Sequence, residues 1–197
     1  MAGSTARIAA GLALAALLAP SAAPAQVSWA SRTRLSLEPS AGLFRDVFAP
    51  DRETGWVLGL RLAWGGPRLR LFQAVRWGRT SGLAPGDPEA APGASVRNEW
   101  LLATTGVDYP LHRGTVDLFA RAGLGFAWVR PVAENGDPRI PVDGFQSRQH
   151  VLVGLVLERD VRSVASVRVA LTDRLYDLFA HPLHGPGLDV GVVFSFE

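Results

Sequence analysis

The sequence contains no cysteine and no lysine among its 197 residues. Without cysteine, an exported chain has no disulfide support and must be held by hydrogen bonds and packing. All 20 basic residues are arginine, and 18 acidic residues are interspersed with them. Interspersed charges do not form a basic face, so we do not expect nucleic acid as a partner. Arginine is also the better partner for buried carboxylates.

The sequence also lacks an apolar run long enough for a membrane-spanning helix, which needs roughly 20 residues. The segment 8–18 is apolar, but it is short, follows Arg7 and precedes small residues that end at Ala25. This order is typical of a secretory signal peptide rather than a retained anchor helix. We therefore expect residues 1–25 to be cleaved after export and residues 26–197 to form one domain.

The remaining chain lacks helical periodicity and has eight segments in which apolar residues occupy alternate positions. Such alternation is typical of β-strands with two different faces. The segments lie at about 34–43, 55–64, 68–77, 98–111, 115–129, 150–158, 166–176 and 187–196. Pro39 falls within the first segment, where it predicts a bulge because proline cannot donate to a β-ladder.

The connections between these segments alternate between short and long. The short connections are 65–67, 112–114 and 160–163, and the long ones are 44–54, 78–97, 130–147 and 177–186. An even strand number with short turns at one rim and long loops at the other is typical of outer-membrane barrels. We therefore predict an all-β fold, an eight-stranded antiparallel up-and-down transmembrane β-barrel with its short turns in the periplasm.

The direction of the apolar face distinguishes this prediction from a soluble lipocalin-like barrel, which holds its apolar residues inside. One face of the segments carries large branched and aromatic side chains, whereas the other is rich in glycine, alanine, serine and threonine with scattered charges. Large side chains would overfill the interior of eight strands, and small ones fit it. The apolar face is therefore expected to contact lipid.

Aromatic residues on the apolar face fall at two heights, as expected for girdles at the two membrane interfaces. Trp56, Trp77 and Trp128 are predicted near the long-loop rim, and Trp64, Tyr109 and Phe196 near the short-turn rim. The eight steps from Trp56 to Trp64, at ~3.3 Å each along a strand tilted by ~40°, span roughly 20 Å of height. This is close to the apolar band of ~25 Å in such barrels.

Twelve charged residues share the small-residue face and are predicted to point into the lumen. They are Arg34, Glu38, Arg61, Arg70, Arg76, Asp108, Asp117, Arg121, Glu158, Arg168, Arg174 and Asp189. Because buried charges must be paired, we expect ion pairs that plug the lumen. The alternative is a gated path for ions or solutes. The pairing itself cannot be read from the sequence.

The four histidines are candidates for catalytic or metal-binding residues. Acyl transfer needs a histidine close to a hydroxyl and oriented by a third polar group. His181 and His184 lie near Asp177 in the last long loop, and His150 begins the sixth segment after Ser147. Two histidines without a third ligand are a weak metal site. We expect exposed loop histidines and no catalytic residue, metal or cofactor.

Arginines in the predicted long loops or at their edges are candidates for contact with lipopolysaccharide phosphates. They are Arg45, Arg52, Arg79, Arg97, Arg130 and Arg139.

The strand number, the chain length and the last segment, 187–196, resemble the small outer-membrane barrels of the OmpA transmembrane domain and OmpX type. Barrels of this family carry an assembly signal in their last strand, in the order polar, any, Gly, any, any, apolar, any, apolar. These positions are filled in order by Asp189, Gly191, Phe194 and Phe196. In the family the last aromatic residue usually ends the chain, whereas here Glu197 follows Phe196. The resemblance implies that the barrel-assembly machinery recognises this strand.

These observations predict a monomeric outer-membrane protein of a Gram-negative bacterium, in contact with outer-membrane lipid and lipopolysaccharide. A plugged lumen indicates a structural or surface-interaction role. Two alternatives remain, namely a narrow porin-like solute channel and, less favoured, a lipid A-modifying acyl hydrolase or transferase.

Overall fold

The computed structural model describes residues 34–47, 54–66, 68–83, 95–133, 146–162, 164–176 and 183–196. The signal peptide predicted at 1–25 lies outside these ranges. The described residues form eight strands: β1 (Arg34–Arg45), β2 (Thr54–Gly65), β3 (Arg70–Leu83), β4 (Ser95–His112), β5 (Asp117–Ala133), β6 (Gln146–Arg162), β7 (Ala165–Tyr176) and β8 (Leu183–Phe196). Across these ranges, no helix is long and apolar enough to cross a membrane.

The eight strands form a closed antiparallel barrel in sequence order. Each strand pairs with its neighbours in the chain, and β8 pairs with β1 to close the sheet. Among the described strands, closure therefore leaves none at a free sheet edge. The predicted fold class, an eight-stranded antiparallel up-and-down barrel, is confirmed.

The barrel has the polarity of a membrane protein rather than of a soluble one. Along β2, Leu58 and Leu60 point outward and are 51% and 53% exposed, whereas Val57 and Arg61 point inward and are each 2% exposed. The same alternation continues around the barrel, with leucine, valine and aromatic side chains outside and charged side chains inside. The alternative of a soluble barrel with an apolar interior is therefore wrong.

Several strands extend further toward the long loops than predicted. β3 continues to Leu83, β4 begins at Ser95, β5 continues to Ala133, and β8 begins at Leu183. The apolar alternation marks only the part of a strand that faces lipid, and the hydrogen-bonded ladder continues beyond it. Sequence periodicity therefore underestimated the strands at this rim.

Pro39 does not produce the predicted bulge. The register between β1 and β2 is continuous over the whole of β1. On its other side, β1 pairs with β8 in one register before and after Pro39, with pairing omitted only at Glu38 and Pro39. The missing N–H of proline thus interrupts the ladder without inserting a residue.

The short turn between β2 and β3 depends on Gly65. Its φ angle is 141°, a backbone conformation that residues with a side chain rarely adopt. A Cβ atom at this position would also lie 2.3 Å from the carbonyl oxygen of Leu69. Glycine is therefore required where the chain reverses.

Apolar side chains inside the barrel form three groups. The groups are Phe119, Val156 and Ala170; Ala63, Phe72, Ala74 and Leu152; and Phe44, Val57, Trp100, Leu102, Ala127, Val129 and Tyr176. Trp100 and Phe119, which break the small-residue pattern of the inner face in the sequence, are both fully buried. Phe119 lies two residues from the start of β5, and Trp100 lies in the half of β4 nearer the long loops. Large aromatic side chains thus occupy both halves of the lumen.

Candidate functional site

A network of charged side chains crosses the lumen near the short-turn rim. Oε2 of Glu38 on β1 accepts hydrogen bonds from Arg61 of β2 at 2.8 Å and from Arg168 of β7 at 2.6 Å. On β4, Asp108 accepts two hydrogen bonds from Arg121 of β5, at 2.8 and 3.1 Å. Asp108 also accepts a hydrogen bond from Arg61, so these pairs form one connected group.

Glu158 on β6 extends the network to the opposite wall. Its Oε2 accepts hydrogen bonds from Nη1 of Arg70 at 2.7 Å and from Nε of Arg168 at 3.1 Å. Arg168 also approaches Asp108, with 3.7 Å between Nη1 and Oδ2. Arg168 therefore reaches three carboxylates. The network takes one residue from each of β1 to β7: Glu38, Arg61, Arg70, Asp108, Arg121, Glu158 and Arg168.

Two phenylalanine rings fill the space between these guanidinium groups. The Cζ atoms of Arg61 and Arg121 lie 4.6 and 4.9 Å from the ring centroid of Phe72. Arg70 lies 4.6 Å from the ring centroid of Phe119. Cation–π contacts of this kind stabilise a desolvated guanidinium in addition to its ion pairs.

The last strand joins the lumen through a separate ion pair. Nη1 of Arg76 on β3 donates to Oδ2 of Asp189 on β8 at 2.6 Å. Two positions farther along β8, Gly191 also faces inward, and a Cβ there would lie 2.8 Å from Oε1 of Glu38. The polar and glycine positions of the predicted assembly signal therefore face the lumen, whereas Phe194 and Phe196 point outward and are exposed.

Three of the twelve predicted lumen charges take no part in these pairs. Arg34 is half-buried at the start of β1. Asp117 accepts hydrogen bonds from the backbone N–H of Gly114 at 3.1 Å and from Arg113 at 3.4 Å, and so stabilises the short turn before β5. Arg174 on β7 is buried, and no carboxylate among the described residues forms an ion pair with it.

Asp46, which follows β1, was missed as a lumen residue because it falls in a segment predicted to be a loop. It is fully buried, and its Oδ2 accepts hydrogen bonds from Thr80 and Asn98, both at 2.9 Å, and from the indole of Trp100 at 3.2 Å. Asp46 shares the parity of Glu38, so continuing the alternation of β1 by three residues would have identified it.

Aromatic rings pack together in the lumen at the long-loop end. The ring of Trp100 lies edge-on to Phe44 at 5.3 Å and tilted against Tyr176 at 6.3 Å. Below them, the ring of His150 lies 5.7 Å from Tyr176, and its Nε2 is hydrogen-bonded with the hydroxyl of Thr104 at 3.1 Å. The expectation of an exposed loop histidine is wrong for His150, because β6 is paired at this position and points the side chain inward.

The other histidines lie away from the lumen interior. His181 lies outside the described residues. His184 is exposed on the outside of β8, and its Nδ1 is hydrogen-bonded with Asp173 at 2.7 Å. On the adjoining strands, Asp173 is paired with Val153 and Pro186, and His184 is paired with Leu175. None of these ladder partners carries a hydroxyl group. In the described part of the chain, no three His, Cys, Asp or Glu side chains are placed to hold a metal.

The six aromatic residues predicted to form girdles all occupy outward-facing positions. Toward the long loops, Trp56 and Trp77 are in edge-on contact at 5.0 Å. The ring of Trp128 stacks on that of Phe126 in the same strand, with 6.0 Å between the ring centroids. At the other rim, Trp64 and Phe196 are both paired with Leu35, on opposite sides of β1. Tyr109 is exposed near the same end of β4.

A charged triad lies on the outer surface just beyond the long-loop aromatic residues. Glu99 on β4 forms ion pairs with Arg79 of β3 at 2.9 Å and with Arg130 of β5 at 2.6 Å. The guanidinium of Arg79 also covers the ring of Trp77 at 4.7 Å. Two of the arginines expected to reach lipopolysaccharide are thus held side by side on the barrel wall. Of the others, Arg45 ends β1, Arg97 lies on β4, and Arg52 and Arg139 lie outside the described residues.

Neither a protein-family model nor a curated protein gives a match to this sequence. Solved structures are similar in fold. A major outer membrane protein from Thermus thermophilus is 12% identical with a TM-score of 0.59, over 84% of this chain and 100% of that one. The N-terminal β-barrel domain of Pseudomonas aeruginosa OprF is 14% identical with a TM-score of 0.51, over 83% and 97%. Neisserial surface protein A is 11% identical with a TM-score of 0.51, over 84% and 98%.

At these low identities the likeness shows the fold alone. The chain has the fold of the small outer-membrane β-barrels, which confirms the predicted resemblance at that level.

Proposed function

We propose that this chain is an integral outer-membrane protein whose lumen is closed by its own side chains and whose role is structural or in surface interaction. The observation that carries the proposal is the ion-pair network contributed by seven successive strands. Its setting is a barrel whose outer surface is apolar over a broad belt. An exposed apolar surface of this extent requires lipid around it.

The network supports a plug because some of its ion pairs cross the barrel, in addition to those that join ladder partners such as Glu38 and Arg61. Glu38 on β1 binds Arg168 on β7, and Arg70 on β3 binds Glu158 on β6. Neither pair joins hydrogen-bonded neighbours, so each pair spans the interior. An eight-stranded barrel is only wide enough for its side chains to fill. The narrow solute channel and the lipid-modifying enzyme have no comparable observation in their favour.

The same network supports a structural role. Removing one partner of a buried ion pair typically costs about 3–5 kcal/mol, because the remaining charge stays buried without compensation. Arg168 holds carboxylates from β1 and β6 together, so its loss affects both walls. We infer that the network locks the barrel into a single rigid arrangement.

The outer surface supports contact with anionic lipid headgroups at the long-loop rim. Arg79 and Arg130 flank Glu99 directly beyond Trp77 and Trp128, at the height where headgroups meet the apolar belt. The triad carries a net positive charge, as a site for lipid phosphates requires. This placement fits an orientation with the long loops at the cell surface, toward lipopolysaccharide.

The outer face of β8 supports recognition by the barrel-assembly machinery. Phe194 and Phe196 are exposed on the lipid side, where a partner can reach them before the barrel closes. Asp189 and Gly191 lie on the inner side, at positions where Arg76 and Glu38 need them. We infer that the signal acts first in assembly and then in the closed lumen.

Electrical recording tests the plug. The refolded full-length chain, inserted into a planar bilayer in 1 M salt, is expected to give no steady ion conductance. Arg162→Ala, an exposed position at the short-turn rim, serves as a control and is expected to stay closed. A steady open state in the unaltered protein would contradict the plug and favour the solute channel.

Cell fractionation and gel mobility test the membrane location independently. The protein is expected in the outer-membrane fraction, and its mobility on a detergent gel is expected to change when the sample is boiled. Recovery in the soluble periplasmic fraction, with no change on boiling, would contradict an outer-membrane barrel.

A further inference from the structure

Arg174 on β7 is a buried guanidinium that forms no ion pair with any carboxylate in the described part of the chain. It is 2% exposed, its Nε has no hydrogen-bond partner, and none of the described carboxylates pairs with it. By contrast, Arg61, Arg70, Arg76, Arg121 and Arg168 each bind at least one carboxylate in the same lumen. Among the inward-facing arginines that the structure describes deep in the barrel, Arg174 is the exception.

The chemistry of arginine makes this position demanding. A guanidinium stays protonated in proteins, so Arg174 cannot become neutral as a buried lysine can. An isolated charge away from water costs several kcal/mol unless it is paired. The nearby network offers no spare negative charge, since it joins four arginines to three carboxylates. Asp189 is already bound by Arg76.

His150 provides a second unpaired group beside Arg174. In the pairing of β6 with β7, His150 is opposite Tyr176 and Leu152 is opposite Arg174, so His150 and Arg174 are diagonal neighbours on the inner face. Diagonal neighbours are roughly 7–8 Å apart, within reach of long side chains. Nδ1 of His150 is buried without a partner, while its Nε2 is satisfied by Thr104. When the Thr104 hydroxyl donates to Nε2, Nδ1 carries a hydrogen with no acceptor.

Glycines keep both side chains against the barrel wall. A Cβ on Gly187 of β8 would lie 3.1 Å from Nη1 of Arg174, and a Cβ on Gly125 of β5 would lie 2.8 Å from Nε2 of His150. The two side chains occupy space that a larger residue on the adjacent strand would fill. Nη1 of Arg174 therefore lies toward β8, and Nε2 of His150 lies toward β5.

We propose that Arg174 and His150 form a binding site for a small monovalent anion of the halide class, with chloride as the abundant example. A single anion supplies the one negative charge that Arg174 needs and accepts the hydrogen of His150 Nδ1. The aromatic rings of Trp100, Phe44 and Tyr176 lie on the long-loop side of the site and favour a small occupant. This site adds a ligand to the structural role proposed above. It makes the free energy of unfolding of the barrel depend on an external ion.

Chemical unfolding in matched salts tests the site. The refolded full-length chain is unfolded with urea in sodium chloride, sodium bromide or sodium gluconate at equal ionic strength, since gluconate is too large for the lumen. The midpoint is expected to rise with halide concentration and to saturate, because a ligand that binds only the folded state stabilises it. Sodium phosphate at equal ionic strength is expected to raise the midpoint without saturating, and by the same amount in the Arg174 variants, because it stabilises by exclusion from the protein surface.

Arg174→Met identifies the residue responsible. This variant is expected to lose the halide dependence and to be more stable than the unaltered protein in gluconate, because the uncompensated charge is gone. Arg174→Gln, which is uncharged but polar, is expected to lose the halide dependence as well. Arg70→Met is the matched control: it removes a paired lumen arginine and is expected to lower the midpoint in every salt while keeping the halide effect.

Crystals grown in bromide locate the ion directly. An anomalous peak is expected beside the guanidinium of Arg174. Equal midpoints in halide and gluconate, an unchanged halide effect in both Arg174 variants, a saturating effect of phosphate that requires Arg174, or the absence of a bromide peak at Arg174 would each overturn the proposal. Lower stability of Arg174→Met than of the unaltered protein in gluconate would also overturn it, since Arg174 would then be satisfied within the protein.

Discussion

Glu38 on β1 and Gly191 on β8 meet across the seam at which the barrel closes, and a Cβ at position 191 would lie 2.8 Å from Oε1 of Glu38. Glu38 in turn binds Arg61 and Arg168. The seam is therefore joined twice, by the backbone ladder between β1 and β8 and by a carboxylate that fits only against glycine. A residue that matches an assembly signal in the sequence thus also makes room for the central ion pairs.

Gly191→Ala is expected to destabilise the barrel. The added methyl group must displace the Glu38 carboxylate from its two arginines, and overpacking of this kind costs about 1–3 kcal/mol. The change is measured as a lower urea midpoint of the refolded protein. Gly66→Ala is the matched control, because a Cβ there meets nothing within 4 Å. Equal losses in the two variants would show that position 191 has no special packing requirement.

Arg168→Met is expected to be among the most destabilising single changes in the lumen. It leaves Glu38 and Glu158 with one arginine each and removes the bridge between them. The expected loss in the free energy of unfolding is about 3–5 kcal/mol. Arg162→Met, at an exposed site on β6, is expected to change it by less than about 0.5 kcal/mol.

A second substitution measures the coupling between Arg168 and Glu158. Glu158→Gln alone breaks the ion pairs of Glu158 with Arg168 and Arg70, and in the Arg168→Met background it breaks only the pair with Arg70. The double variant is therefore expected to lose less stability than the sum of the two single variants. A double variant that is less stable than Arg168→Met by the full effect of Glu158→Gln alone would contradict the coupling.

The faces of the strands could be predicted from the sequence, because alternation follows directly from the pleat of a strand. Glu38, Arg61 and Asp108 were placed inside on that ground, and they do face the lumen. Their partners could not be predicted. Glu38 and Arg168 are 130 residues apart, and their contact depends on the stagger of strands around the closed barrel. Alternation along one strand carries no information about that stagger.

The rim facing the long loops was the least predictable part of the molecule. Asp46 was assigned to a loop and His150 was expected to be exposed, yet both are buried. In this region the outward positions no longer carry apolar side chains, as at Gln149 and Arg45. The signal that identifies a lipid-facing strand is therefore lost while the ladder continues. Hydrogen bonding rather than lipid contact decides where these strands end.

Asp46→Ala is expected to loosen the long-loop end of the lumen. The substitution removes the carboxylate that accepts from Thr80, Asn98 and Trp100, of which Thr80 and Trp100 are buried. An unsatisfied buried donor costs about 1–3 kcal/mol. The expected result is a lower urea midpoint and faster proteolysis at this rim. Asp173→Ala, which removes a carboxylate from the outer surface, is the control and is expected to leave both unchanged. A similar rate of cleavage in the two variants would argue against a stabilising role for Asp46.

The double variant Arg79→Gln with Arg130→Gln is expected to weaken contact with anionic lipid. The two guanidiniums lie beyond the aromatic girdle with only Glu99 between them. A basic residue near an anionic membrane surface contributes about 1 kcal/mol, so each loss is expected to reduce lipid A retention roughly fivefold. Mass spectrometry of lipid A that co-purifies with the protein measures the effect. Arg162→Gln at the opposite rim removes one positive charge and is expected to retain lipid A normally. Equal retention by the double variant and the unaltered protein would show that headgroup phosphates do not use this triad.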